Sequence, residues 1–372
     1  MKKILLLFLI LSIILAAVLW TRYGGGELYP DLTQPPLLAE SALEEVLAYP
    51  EPIGNVAVNA KGRVFFTVHP ESRSQGNKLL QYIDGAAEPF PDVESQATLF
   101  DTVLGVVIDR QNRLWTIDHG NHGMRTARLL AFELDSGKLI HDQSFDKSIA
   151  PIGSFLQDIQ VSADGRTVVI ADASFWRKSP ALIVYDIGTA SARRVLEQHA
   201  SVSAESYVIH NHGNEMSFVG GLVTLRGGVD GMALDDEWLY YGAITASGLY
   251  RIPLSELRNP ENSDTQLAAQ SERYSDKPLS DGFSVDKNGN VYITDIEHGA
   301  IFRVNKDREL RTLIRSPEIR WADALSFGPD SWLYVADSAL YDVVLRSRAH
   351  INDQGPYSIF RFQTDTNGTP GQ

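Results

Sequence analysis

Cysteine is absent from the 372 residues. That excludes a disulfide framework, a thiol nucleophile and a thiolate metal site, and leaves the redox compartment unmarked. Positive charge is also scarce: 33 Lys and Arg against 47 Asp and Glu leave a formal charge of −14. Nucleic acid is thereby excluded as a partner, because phosphate binding depends on cationic side chains that release counterions. Also missing are Gly-x-Ser-x-Gly, a Walker-type phosphate loop, Gly-x-Gly-x-x-Gly and His-Glu-x-x-His. Serine-hydrolase, nucleotide and dinucleotide chemistry have no support, and no nucleotide, flavin or haem is expected.

Long apolar runs are missing too, with one exception. Lys2-Lys3 precede an unbroken stretch from Ile4 to Trp20, flanked by Thr21-Arg22. Residues 1–22 therefore read as an export signal or an uncleaved membrane anchor, with Ala16-Ala17-Val18 a poor small-x-small cleavage site. The positive side should stay in the cytoplasm, so the rest is expected in the periplasm or outside the cell, tethered through residues 4–20. Gly24-Gly25-Gly26 and the stretch to Leu38 read as a flexible tether.

From residue 39 onward one pattern recurs: an apolar strand, an Asn/Asp/Gly turn, an alternating strand and a closing polar residue. The clearest copy is Asp281-Gly282-Phe283-Ser284-Val285, the turn Asp286-Lys287-Asn288-Gly289-Asn290, and Val291 to Asp295. Five others begin near Gly54, Gly105, Asp158, Asp230 and Asp323. Each is followed by a third strand such as Ile301-Phe302-Arg303-Val304, and four of the first five by a fourth. Sheets of this kind every ~40–50 residues predict an all-β fold, a six-bladed β-propeller of four-stranded antiparallel blades over 39–372. The sixth copy has only a short polar tail after Phe362, so Ala42 to Tyr49 is predicted to supply its outer strand and remove the open edge. Residues 197–225 are predicted to form a long loop or hairpin carrying His199, His210 and His212.

First strands line a propeller's channel. The residues opening them, Asn55 or Gly54, Gly105, Asp158, Asp230, Asp281 and Asp323, should therefore form a ring. Four converging carboxylates need a cation, an amine or shared protons, and oxygen ligands favour Ca²⁺ or another hard divalent cation. The plainer reading makes each Asp before Gly a turn residue bonded to nearby amides. Asp158, Asp230, Asp281 and Asp323, with His119 from Asp118-His119-Gly120-Asn121-His122, are the candidate ligand-binding residues; Asp158 and Asp281 are the candidate metal ligands. Trp115, Tyr240, Phe302 and Trp332 read as core.

Several segments carry a resemblance. Arg113-Leu114-Trp115-Thr116-Ile117-Asp118-His119-Gly120, Gly231-Met232-Ala233-Leu234 through Leu249-Tyr250-Arg251-Ile252-Pro253, and Trp321-Ala322-Asp323-Ala324-Leu325 resemble, in order, motifs of the major royal jelly protein/yellow family. The resemblance spans about residues 40 to 362 and implies a six-bladed propeller. It further implies a channel that holds a small cationic or aromatic molecule, or dopachrome-type isomerase chemistry. More distantly, Asp281-Gly282 to Gly289-Asn290 is similar to the gluconolactonase/regucalcin propellers. There the first Asp binds a divalent metal, which makes a metal-dependent lactone hydrolase the alternative. Gly54 stands where that group has a metal-binding Glu, and only Gln157 or Asp158 matches its middle-blade Asn. The chain is expected to act as a monomer on a small molecule.

Overall fold

A computed structural model describes residues 2–372. Six four-stranded antiparallel sheets form the six blades of a propeller. Their inner strands are Ile53–Val58, Val103–Ile108, Leu156–Val161, Val229–Leu234, Phe283–Val285 and Ala322–Phe327. The closing strand is where the sequence placed it: Glu44–Tyr49 pairs antiparallel with Tyr357–Gln363 and completes the sixth blade. A strand satisfies that sheet's free edge, whereas a helix would have left it unpaired.

The turns explain why the repeat folds. In blade 5, Asp286 Oδ1 accepts the amides of Asn288 and Asn290 at 2.9 Å each, while Oδ2 accepts the Tyr292 hydroxyl. Gly289 supplies the positive φ that closes the turn. Asp109 repeats the device, taking the Gln111 and Arg113 amides and the Trp115 indole N–H. The aspartates that end second strands act elsewhere. Asp118, Asp172 and Asp337 are buried and accept amides from the preceding inter-blade loop, at Thr102, Phe155 and Trp321 respectively. Blade faces bury Trp115, Tyr240 and Phe302, as expected; Trp332 is only partly buried and lies under the Arg361 guanidinium.

Four segments lie outside the repeat. Lys2–Tyr23 is one apolar helix with no buried residue. Residues 27–38, expected to be a loose tether, form a strap: the Tyr29 hydroxyl donates to Lys277 O, and the Leu37 and Leu38 amides donate to Thr312 O and Leu313 O. The polar tail after Phe362 crosses the channel floor. There Gly371 donates to Phe327 O, Ile108 donates to Gly371 O, and Gln372 Nε2 donates to Val161 O, joining blades 2, 3 and 6. The insertion between blades 3 and 4 folds as short hairpins through His210–Asn211 and Ser217–Phe218.

Candidate functional site

The ring residues converge because glycines sit beside them. A Cβ on Gly282 would lie 2.5 Å from Asp323 O, and one on Gly231 would overlap Asp281 O. Adjacent inner strands pass closer there than any side chain allows. The Asp-Gly pairs thus serve strand crowding rather than turns, and they bring Asp230, Asp281 and Asp323 to one axis with Asp158.

Asp158 Oδ1 accepts Asn55 Nδ2 at 3.3 Å and Oδ2 accepts the Met232 amide at 3.3 Å. Burial raises Asp158 to about 7 against those two bonds, with the Asp281 charge adding to the rise. Asp281 Oδ2 accepts the Trp321 indole N–H at 2.6 Å. Burial also raises Asp281, while hydrogen bonds from Asp230 and Trp321 and the Lys277 charge restrain the rise. Asp230 is driven well above the usual range by burial and by the Asp281 charge, so it holds the proton in the bond the two share. Asp323 is raised by burial and the same neighbour. Asp230 Oδ2 and Asp323 Oδ2 are buried without a hydrogen-bond partner among the described residues.

Above the ring lies a funnel. Its wall is apolar and aromatic, with Phe155, Phe175, Trp176, Phe218 and Ile244, and its polar members are Asp281, Trp321, Gln157, His69, Glu71 and His122. His122 Nε2 meets Glu71 Oε1 at 2.8 Å. Burial alone would raise Glu71, but the bond and charge of His122 outweigh it and hold the carboxyl below its usual range. His69 Nδ1 accepts the Glu71 amide, leaving Nε2–H aimed at Asp323 Oδ2 3.8 Å away. Burial pushes His69 down to about 4. With the imidazole neutral and Asp323 raised, this is not an ion pair, and 3.8 Å is too long for a hydrogen bond.

The candidates are therefore not all together. The four aspartates share the channel, with Asp158 just above the polar tail. His119 is off the funnel: it is buried, caps a short turn by accepting the His122 amide on Nδ1, and packs its ring against Phe155. Among the described residues no three His, Asp or Glu side chains are arranged to hold a metal ion. Asp158 accepts hydrogen bonds from Asn55 and Met232, and Asp281 accepts one from Trp321. Two features carried no sequence signal. The Glu71–His122 pair joins loops of different blades, and Lys277 is fully buried, donates to Ser280 Oγ at 2.8 Å, and is lowered by burial to about 7.

Fold and site together define a six-bladed propeller with an acidic channel beneath an aromatic funnel. The sequence profile described as Major royal jelly protein matches residues 101–326, more than half of the chain, and the protein belongs to that family. No curated protein matches the sequence. Among solved structures the chain is similar to a gluconolactonase from Xanthomonas campestris, with 13% identity and a TM-score of 0.55 over 91% of this chain and 98% of that one. It is likewise similar to a calcium-binding protein, regucalcin, from Agrobacterium tumefaciens, with 14% identity and a TM-score of 0.55 over 88% and 97%. At such identities the likeness is one of fold.

Proposed function

We propose that this protein binds a small amphipathic cation, an amine carrying an aromatic or aliphatic body, on the extracytoplasmic side of a membrane. The supporting observation is the stack of four raised carboxyls, two with unpartnered oxygens, beneath an aromatic wall. An ammonium group would take the place of the protons these carboxyls hold, and its body would bury against Phe155, Phe175 and Trp176. Binding then releases protons, so affinity rises with pH until the carboxyls have ionised. Export and anchoring rest on the apolar helix Lys2–Tyr23.

Calorimetry with 2-phenylethylamine at pH 6 and pH 8, run in two buffers of different ionisation enthalpy, tests this reading. Tighter binding at pH 8 with net proton release is expected, and Asp230→Asn should weaken it at least tenfold. Equal affinity for the uncharged analogue 2-phenylethanol would refute it.

A second reading, hydrolysis of a lactone or isomerisation, is favoured by the Glu71–His122 pair facing the funnel beside Asp281. A carboxylate that orients an imidazole is a general-base arrangement. Turnover of a lactone panel that is lost in His122→Gln and kept in EDTA would support it over simple binding.

A further inference from the structure

In an up-and-down blade, the connection from second to third strand and the connection to the next blade emerge on one face, and the two remaining turns emerge on the other. Apart from Ile140 on a strand, every large apolar side chain left exposed on the blades and their connections lies on the first face. These are Val93, Met124, Ile152, Trp176, Val219 and Leu345, with Ile152 70% and Val219 64% accessible. The funnel opens on the same face, since its rim includes Trp176 and Leu345. Basic residues, Arg73, Arg125, Arg177, Lys178 and Arg346, stand among them together with acidic ones, Asp92, Glu94, Asp146, Glu215 and Glu318. The opposite face has no exposed large apolar side chain and carries turns of both signs, Asp84, Asp135, Asp236, Glu237 and Asp307 beside Lys61, Arg110, Lys287 and Lys306. In a chain of net charge −14 the two faces therefore differ in apolar exposure.

The apolar helix joins the apolar face. Its last turn is fastened there: Arg22 Nη2 donates to Arg177 O at 2.9 Å and the Tyr23 hydroxyl donates to Trp176 O at 2.8 Å. The Tyr23 ring contacts Phe175 and Trp176, and Lys178 Nζ lies over Tyr23 and Phe175. Arg226 Nη2 donates to Gly24 O, and Glu27–Leu28 pairs with Tyr207–Val208. At 22 residues the helix is about 33 Å long, enough to cross a hydrocarbon core of about 30 Å. A bilayer crossed by this helix would end where these contacts begin.

We propose that the funnel face docks on the outer surface of the membrane that the helix spans, with Met124, Ile152 and Val219 in the headgroup layer and the arginines against anionic lipid phosphates. The channel floor is closed by residues 366–372, so the funnel is open only towards the lipid. Its ligand therefore arrives by partitioning into the bilayer. This last point rests on the binding reading above, while the docking itself does not.

The absence of cysteine permits a direct test on the full-length chain. Single cysteines at Met124, Ile152 and Val219, and at Lys61 and Lys287 on the opposite face, would each carry an NBD fluorophore in phosphatidylethanolamine/phosphatidylglycerol vesicles containing headgroup-region nitroxide lipid. At least threefold quenching at the first three sites and none at the other two is expected. Weak quenching at all five would mean a tether without docking and would overturn the proposal, as would equal quenching on both faces. In vesicles lacking phosphatidylglycerol the first three sites should lose part of their quenching; no change would refute the lipid-phosphate role of the arginines. The amine calorimetry is done in detergent, so failure of the ligand reading leaves the quenching result standing, and the reverse holds.

Discussion

The channel carboxyls make stability fall as pH rises, and Asp158 sets a scale for the fall. A carboxyl that ordinarily titrates near 3.8 and here at about 7 is worth about 4 kcal/mol between its two states. The sign follows from proton counting. Between about pH 4 and pH 7 the folded state keeps a proton that the unfolded state has lost, so the contribution is fully present below pH 4 and lost as pH rises through 7. Asp158→Asn fixes the uncharged form. Against the native chain it should be near neutral at pH 4.5 and gain progressively to pH 8, by up to about 4 kcal/mol, on the order of 8 °C for a domain of this size. Because Asp158 also raises Asp230 and Asp323, relief of those neighbours adds in the same direction, and the cluster titrates as a unit. Thermal melts of the full-length protein and the variant in EDTA, at half-unit pH steps, measure the difference. A difference that stays constant from pH 4.5 to 8 would refute the picture of protonated, mutually repelling carboxyls.

Other perturbations follow from the same geometry. His69, depressed to about 4, contributes stability that is present above about 6.5 and lost as pH falls towards 4; His69→Asn should flatten the acid limb of the melting profile by about 3 kcal/mol. Gly282→Ala places a methyl group 2.5 Å from Asp323 O and should cost about 1–3 kcal/mol in urea unfolding, whereas Ala at Gly213, whose Cβ meets nothing, should be set only by its positive φ. Deleting residues 366–372 removes the bonds to Phe327, Ile108 and Val161 and uncovers the channel floor; amide exchange at Ile108 and Phe327 should speed up by at least tenfold, and unchanged exchange would mean that the tail does not seal the floor.

The propeller was legible because its signal repeats. The Asn/Asp-Gly turns recur at regular intervals between short apolar strands, so Asp286 and Asp109 announce the blades. The ring of Asp158, Asp230, Asp281 and Asp323 was legible for the same reason, since it occupies one register position in four copies. What was not legible depends on contacts between unique loops. Glu71 meets His122 across two blades, Tyr29 reaches Lys277 across 248 residues, and Gln372 reaches Val161 across 211; no periodicity marks such pairs. Burial of Lys277 was equally hidden, because a lysine beside Pro278 reads as surface until the strap is laid over it. His119 was read as a ligand from its Asp-His-Gly setting, yet that setting builds a turn cap.

The seam of the sixth blade has a kinetic side. Glu44 and Arg361, 317 residues apart, must meet before the ring can close, so the strand made first waits for the strand made almost last. Chain-end pairing of this kind has a high contact order and belongs late in folding. Until it forms, five blades present an unsealed edge on each side of the gap. Held in a membrane, the helix Lys2–Tyr23 would keep one of those edges at a fixed place while the remainder of the chain emerges, so that closure becomes a search by one free end rather than two.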